Sequence, residues 1–184
     1  MWCCAHGGEV GLVTLVLSVA LALLPNHAAK TTQASHVAHS SNFPTRGLLV
    51  PGKSIAGVSL GMPQARVKTL WGSRYEVCSY CKVTTWFYEY PTGEPLGAAV
   101  KFNKAGKVVS VFTLGSPVGW GIKGAMTFDP VTNVYTFYPN PIQKSCIGYV
   151  ALYVRIGQNT MSFYTANGVI YGFALTGPSE SVCQ

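Results

Sequence analysis

The sequence predicts an α+β fold, two tandem helix-plus-three-strand antiparallel units packed as one domain over residues 47–184. Three observations carry that prediction. At an offset of 67, Pro63 meets Pro130, Val67 meets Val134, Thr69 meets Thr136, Leu70 meets Phe137 and Trp71 meets Tyr138, so one helical motif is used twice. Each copy is followed by runs rich in β-branched and aromatic residues, the composition of strands. The likeness continues into those runs, where KFNKAGKVVSVFTLG (101–115) parallels SFYTANGVIYGFALTG (162–177). The repeats cover residues 55–115 and 121–177.

Residues 1–29 read as a signal peptide or N-terminal anchor. Residues 10–24 (VGLVTLVLSVALALL) are uncharged and apolar apart from Thr14 and Ser18. That length suits the apolar core of a signal peptide and falls short of the ~20 residues needed to span a bilayer. Cleavage is expected near Ala28 and Ala29. The alternative is an uncleaved anchor, in which case residues 10–24 are the contact with the membrane. Two features count against a standard signal: no Lys or Arg precedes the run, and no A-x-A site follows it. Cys3 and Cys4 precede the run and so do not make a lipoprotein signal, although cysteines beside a membrane are acylated in some cells. Residues 30–46 are rich in Ser, Thr and Ala without periodicity, and read as a flexible tether.

Within the domain, Pro63 and Pro130 stand where a first helical turn begins and a missing N–H costs nothing. Pro63, Val67, Leu70 and Trp71 share one helical face, as do Val131, Val134, Tyr135 and Tyr138, with Asp129 as the expected N-cap of the second helix. Gly72 and Pro139 stop the two helices. The second is rich in Val, Thr and Tyr, so its helicity rests on packing more than on propensity. Each helix leads through a cysteine-bearing loop to three expected strands. These are 84–90, 97–103 and 107–114 in the first unit, and 148–156, 159–165 and 169–176 in the second. Turn residues at 103–106, 157–158 and 166–168 join them as antiparallel hairpins.

Charged residues make up 10% of the chain, against ~25% in ordinary soluble domains, which argues against a typical cytosolic protein. The formal charge is +7, and the part after residue 29 carries +8 because Glu9 falls away. Its cations are spread along the chain, which fits solubilising charge with weak attraction to anionic surfaces. Of six cysteines, Cys78, Cys81, Cys146 and Cys183 lie in the domain. In an exported chain four cysteines read as two disulfides, for which three pairings exist. Cys78 with Cys81 and Cys146 with Cys183 is the favoured one, because the second bridge ties down the C-terminus. A four-cysteine zinc site is the alternative, weakened by the lack of a second C-x-x-C. A redox role for Cys78-Ser79-Tyr80-Cys81 is disfavoured, since reactive C-x-x-C pairs sit at a helix N-terminus and this one follows a helix.

Ile55-Ala56-Gly57-Val58-Ser59-Leu60-Gly61-Met62-Pro63, with Val67 and Gly72 downstream, resembles a helix-entry pattern of secreted actinobacterial proteins of unknown function. The duplicated layout over residues 55–177 is more distantly similar to the β-lactamase-inhibitor-protein fold and to small outer-membrane assembly lipoproteins. The second unit departs from the pattern, with Phe128-Asp129-Pro130 in place of Gly61-Met62-Pro63. The resemblance implies a binding or assembly module and carries over no functional residue.

All four histidines precede residue 40, which removes Ser-His-Asp and Cys-His catalysis and histidine-ligated zinc from the domain. No phosphate-binding glycine motif occurs in a strand-to-helix setting. Glu89 and Glu94 are the carboxylate pair a glycosidase would need, but they flank a Pro-Gly turn and read as hairpin solvation. The expected function is therefore that of an exported, non-enzymatic binding module for a protein or an anionic envelope polymer. No cofactor, metal or specific nucleic acid is expected. A secreted hydrolase acting on wall or glycan polymer and a structural surface protein are the alternatives. The candidate binding residues are Trp86, Tyr88, Tyr90, Lys101, Tyr153, Arg155 and Tyr171, aromatics and cations that an open sheet face would present to a partner. The alternation of residues 85–90 does not settle which set faces out.

Overall fold

A computed structural model of the protein describes residues 49–89, 97–115, 121–122 and 124–184. The expected export segment and tether, and Tyr90 and Glu94, lie outside them. The expected α+β class is observed, with two helices and antiparallel sheets.

Three two-residue strands, β1 (Leu49–Val50), β2 (Ser54–Ile55) and β3 (Val58–Ser59), form a small sheet ahead of helix α1 (Gln64–Trp71). After α1 come β4 (Glu76–Val77), β5 (Thr85–Glu89), β6 (Gly97–Phe102) and β7 (Val108–Leu114). The hairpin β8 (Gly121–Ile122) and β9 (Ala125–Met126) precedes helix α2 (Thr132–Phe137). It is followed by β10 (Ile142–Cys146), β11 (Tyr149–Ile156), β12 (Asn159–Ala166) and β13 (Val169–Thr176). One antiparallel sheet takes the order β10-β11-β12-β13-β7-β6-β5-β4, so two meanders meet along β13 and β7.

Four strands follow each helix where the sequence predicts three. The additional ones, β4 and β10, are the outer edges, and both sit in segments that read as loops. Strand β4 is two residues long, and β10 (IQKSC) is polar and largely exposed, so neither shows apolar alternation.

Each helix is seated by the same backbone bonds. Gly61 N–H donates to Val108 O (2.8 Å), Val108 N–H to Met62 O (2.9 Å) and Gln64 N–H to Gly106 O (3.2 Å). At the second helix, Phe128 N–H donates to Ile170 O (2.7 Å), Ile170 N–H to Asp129 O (2.9 Å) and Val131 N–H to Gly168 O (2.9 Å). Pro63 bridges Lys107, and Pro130 bridges Val169. The chain entering each helix is thus one more short partner for the strand that later becomes β7 or β13.

Pro63 caps α1 and Gly72 ends it with φ of 87°. Val67 and Trp71 are buried and Leu70 half-buried, while Pro63 is exposed and contributes no core surface. The N-cap of α2 is Val131, with no side-chain bond; Asp129 does not cap it. The Asp129 carboxylate instead accepts from Met126 N–H (2.8 Å) and from Asn133 Nδ2 (3.2 Å), bracing the turn before the helix. Val134 is the buried residue of α2, and Tyr135, expected on its inner face, is exposed. A six-residue helix offers little more than one turn of inward surface.

The register assigns the two faces of the sheet. Trp86, Val100, Val111, Leu175, Met161 and Val154 form one cross-strand row, which packs in the main core with Val67, Trp71 and Val134 of the helices. Full burial of side chains this size contributes on the order of 2–3 kcal/mol each. The opposite face holds a second cluster of Ala99, Phe112, Ala151, Tyr164 and Ala174, with Tyr149, Tyr171 and Val182 packed on it. Both faces are therefore covered in part, the second by the C-terminal segment.

Candidate binding groove

The second face is built from two neighbouring rows. One runs Thr85, Lys101, Ser110, Thr176, Thr160, Arg155; the other runs Phe87, Ala99, Phe112, Ala174, Ser162, Tyr153. Lys101 and Arg155 thus share a row on one face, four inter-strand steps or about 19 Å apart at the usual sheet spacing. After β13, Gly177 N–H still bonds Val109 O (2.9 Å), and Glu180 N–H then folds back to Gly177 O (3.2 Å). The segment ends at the far edge of the sheet, where Cys183 is bonded to Cys146 of β10. On the way Tyr164 Oη donates to Val182 O (3.0 Å), and Gln184 N–H donates to Tyr149 Oη (2.6 Å).

Between this segment and β10, β11 and β12 lies an open groove of about 350 Å³. Tyr153, Arg155 and Thr160 line it from the sheet, Lys144 from the edge strand and Gln158 from the turn between β11 and β12. Glu180 and Ser181 close it from the C-terminal side, with Pro178 and Val182. Among the described residues neither Lys144 nor Arg155 has a carboxylate within ion-pair distance. Beside the lining on the same face, Ser162 stands opposite Tyr153 and Thr176 opposite Thr160. Both are fully buried and outside the lining, and among the described residues their hydroxyls, like that of Ser110, have no hydrogen-bond partner.

The sequence-predicted residues separate into three groups. Tyr153 and Arg155 line the groove. Lys101 and Tyr171 are half-buried on the same face but outside its lining. Lys101 Nζ lies 5.5 Å from the centre of the Phe112 ring, and desolvation by burial lowers its pKa against the opposing pull of Glu180. Tyr171 packs edge-on to Tyr149, with ring centres 6.1 Å apart, and burial pushes its phenol up to about 12.

Trp86 and Tyr88 are corrections, because they face the helices and are 4% and 1% exposed. Trp86 stacks on Tyr75 with ring centres 4.0 Å apart, and Tyr88 meets Trp71 edge-on at 5.2 Å. Side chains so enclosed offer a partner no surface. Alternation alone left their face undecided because Phe87, between them, is also apolar. Conversely, Lys144, Gln158, Thr160, Glu180 and Ser181 were not anticipated. Lys144 sits in a strand that reads as a loop, and Glu180 and Ser181 come into place through a bridge joining residues 37 apart in the chain.

Both expected disulfides are present, Cys78–Cys81 and Cys146–Cys183. Cysteines joined in pairs present no thiolate to zinc. Disulfides of this kind belong to an oxidising, extracytoplasmic compartment. No helix among the described residues is long and apolar enough to cross a membrane.

No protein-family model matches the chain, and no curated protein matches it in sequence. Solved structures similar to it in part include the following three. An extracellular protein of Bacillus anthracis containing an SCP domain matches with a TM-score of 0.47 and 14% identity, over 64% of this chain and 44% of its own. A cysteine-rich secretory protein of Staphylococcus aureus matches with a TM-score of 0.48 and 10% identity, over 64% and 44% respectively. A DUF4309 family protein of Bacillus subtilis matches with a TM-score of 0.45 and 9% identity, over 67% of this chain and 84% of its own. The matched part is thus under half the length of two of these proteins, and likeness at this level transfers no function.

Proposed function

We propose that the protein is an exported binding module, secreted or held at the cell envelope, that engages an anionic partner through the groove on the second sheet face. The observation that carries this reading is the pair of cations, Lys144 and Arg155, flanking Tyr153 without an ion-pair partner of their own among the described residues. Two positive charges beside an aromatic ring bind an anionic group by charge-assisted hydrogen bonds while the ring supplies contact area. The overall charge of +7 favours the approach of such a partner. The reading is non-enzymatic. The folded part holds no histidine, and the groove lining contributes one carboxylate, Glu180, where acid–base glycoside hydrolysis uses two.

The test is binding of the oxidised full chain to immobilised polyanions, against a Lys144→Ala/Arg155→Ala variant. Binding should weaken as salt is raised, because these charges are exposed and screened, and should fall in the double variant. Retention that is unchanged in that variant refutes the groove as the site.

A further inference from the structure

Resting on that reading of the groove, we infer that its ligand is an acidic polyhydroxylated chain, an anionic group set beside free hydroxyls, as in a uronate glycan or a polyol phosphate. Lys144 and Arg155 account for the anion. They do not account for Glu180, which lies in the same lining and whose attraction to Lys101, outside that lining, falls short of an ion pair among the described residues. A carboxylate accepts hydrogen bonds and donates none, and it repels a ligand whose polar groups are all anionic. A ligand that carries hydroxyl donors next to its anion turns that repulsion into a bond. The rest of the lining points the same way. Gln158 both donates and accepts, Thr160 and Ser181 are hydroxyls, and Tyr153 offers one ring. This is a surface for a molecule that is itself amphiprotic.

An acidic peptide fits less well. Its hydrogen-bond donors are backbone N–H groups held a side chain's length from its carboxylates, and apart from Tyr153 the groove offers its side chains only Pro178 and Val182 as apolar contacts.

The experiment compares four probes on the oxidised full chain by titration calorimetry: oligogalacturonate, poly(glycerol phosphate), poly-glutamate of matched charge, and dextran. The two hydroxylated anions should bind about tenfold or more tighter than poly-glutamate, the worth of one added hydrogen bond to a charged group. Dextran should not bind measurably. Preference for oligogalacturonate identifies the anion as a carboxylate, and preference for poly(glycerol phosphate) as a phosphodiester; either supports the inference. Glu180→Gln removes the repulsion, so the gap between poly-glutamate and the hydroxylated anions should narrow. Lys144→Ala and Arg155→Ala should each weaken all three anions about tenfold. All three positions line an open groove, and circular dichroism reports whether the variants keep the fold. Equal binding of poly-glutamate in the parent chain overturns the hydroxyl requirement and leaves the anionic groove standing. Binding of every anion that ignores Lys144 and Arg155 overturns the groove itself.

Discussion

Phe112 of β7 and Ala174 of β13 face one another directly across the centre of the sheet. They are also each other's counterparts when the segment after Gly106 is laid on the segment after Gly168. The same register pairs Val111 with Leu175 and Thr113 with Phe173, and exchanging counterparts returns the same two pairs. A local two-fold therefore passes through the Phe112 and Ala174 pair. Two side chains at such an axis share one space, which explains why a large residue stands opposite the smallest apolar one.

The first prediction follows from that shared space. Phe112 is 4% exposed and Ala174 is fully buried. Phe112→Ala should cost about 3 kcal/mol through the cavity it leaves, and Ala174→Leu about 1–3 kcal/mol through overpacking. Urea unfolding measures both. If the double variant recovers most of the loss, the two residues occupy one volume; additive losses would show that they do not.

A second prediction concerns the helix entries. Gly61 and Phe128 hold equivalent positions, with φ of 79° and 70°, and their N–H groups bond the equivalent strands. Glycine adopts that conformation freely, whereas a side chain there costs about 1–2 kcal/mol. Nothing lies within 4 Å of a Cβ placed on Gly61, so Gly61→Ala should lose about 1 kcal/mol from backbone conformation alone. Phe128→Gly should leave stability unchanged or raise it by up to about 1 kcal/mol, relieved strain being offset by greater freedom of the unfolded chain. A larger loss in thermal unfolding would mean that the contacts of the ring, although 57% exposed, outweigh the strain.

The residues explain which parts of this architecture were legible in advance. Prolines before each helix, Val67, Trp71 and Val134 facing inward, and six long strands with turns between them all leave periodic or compositional marks. Strands β4 and β10 leave none, because edge strands are short or polar. The two faces of β5 were ambiguous because Trp86, Phe87 and Tyr88 are all apolar, and the helix above them decided the matter. The groove was legible only in Tyr153 and Arg155. Its other wall is the segment PSESVC, which reads as a polar terminus and is placed by a disulfide and by two tyrosine hydroxyls.

Tyrosine burial sets the alkaline limit of stability. Burial raises the phenols of Tyr138, Tyr149 and Tyr164, and lifts Tyr171 to about 12, from an ordinary value of 10.0. In each case the folded state holds its proton to higher pH than the unfolded state does. Unfolding therefore releases protons above pH 10, and stability that is complete below that point should fall as pH rises from 10 toward 12. Lys101 acts the other way, because burial lowers its pKa and loss of its proton relieves the fold, but it is one group against several. Thermal unfolding should show a plateau to about pH 9 and then a steady decline. Phenolate absorbance should appear at higher pH in the folded than in the urea-unfolded chain, and identical titrations would remove the cause proposed here.

The two disulfides should differ in what they contribute. Cys78 and Cys81 are 3 apart in sequence, while Cys146 and Cys183 are 37 apart. If a bridge acts by restricting the unfolded chain, loop length gives about 2 kcal/mol for the first and about 4 kcal/mol for the second. The longer bridge also pins the segment that covers Tyr149 and Tyr164 and forms one wall of the groove. Cys183→Ser should therefore reduce stability more than Cys81→Ser, and only the former should raise hydrogen exchange of the Gln184 amide, which bonds Tyr149. It should also weaken ligand binding, since Glu180 and Ser181 lose their fixed position. Tyr164→Phe offers a milder test of the same segment, removing the bond to Val182 O at a cost of about 1 kcal/mol while leaving the disulfide intact. If Cys183→Ser loses stability but binds as before, the segment braces the fold without shaping the groove.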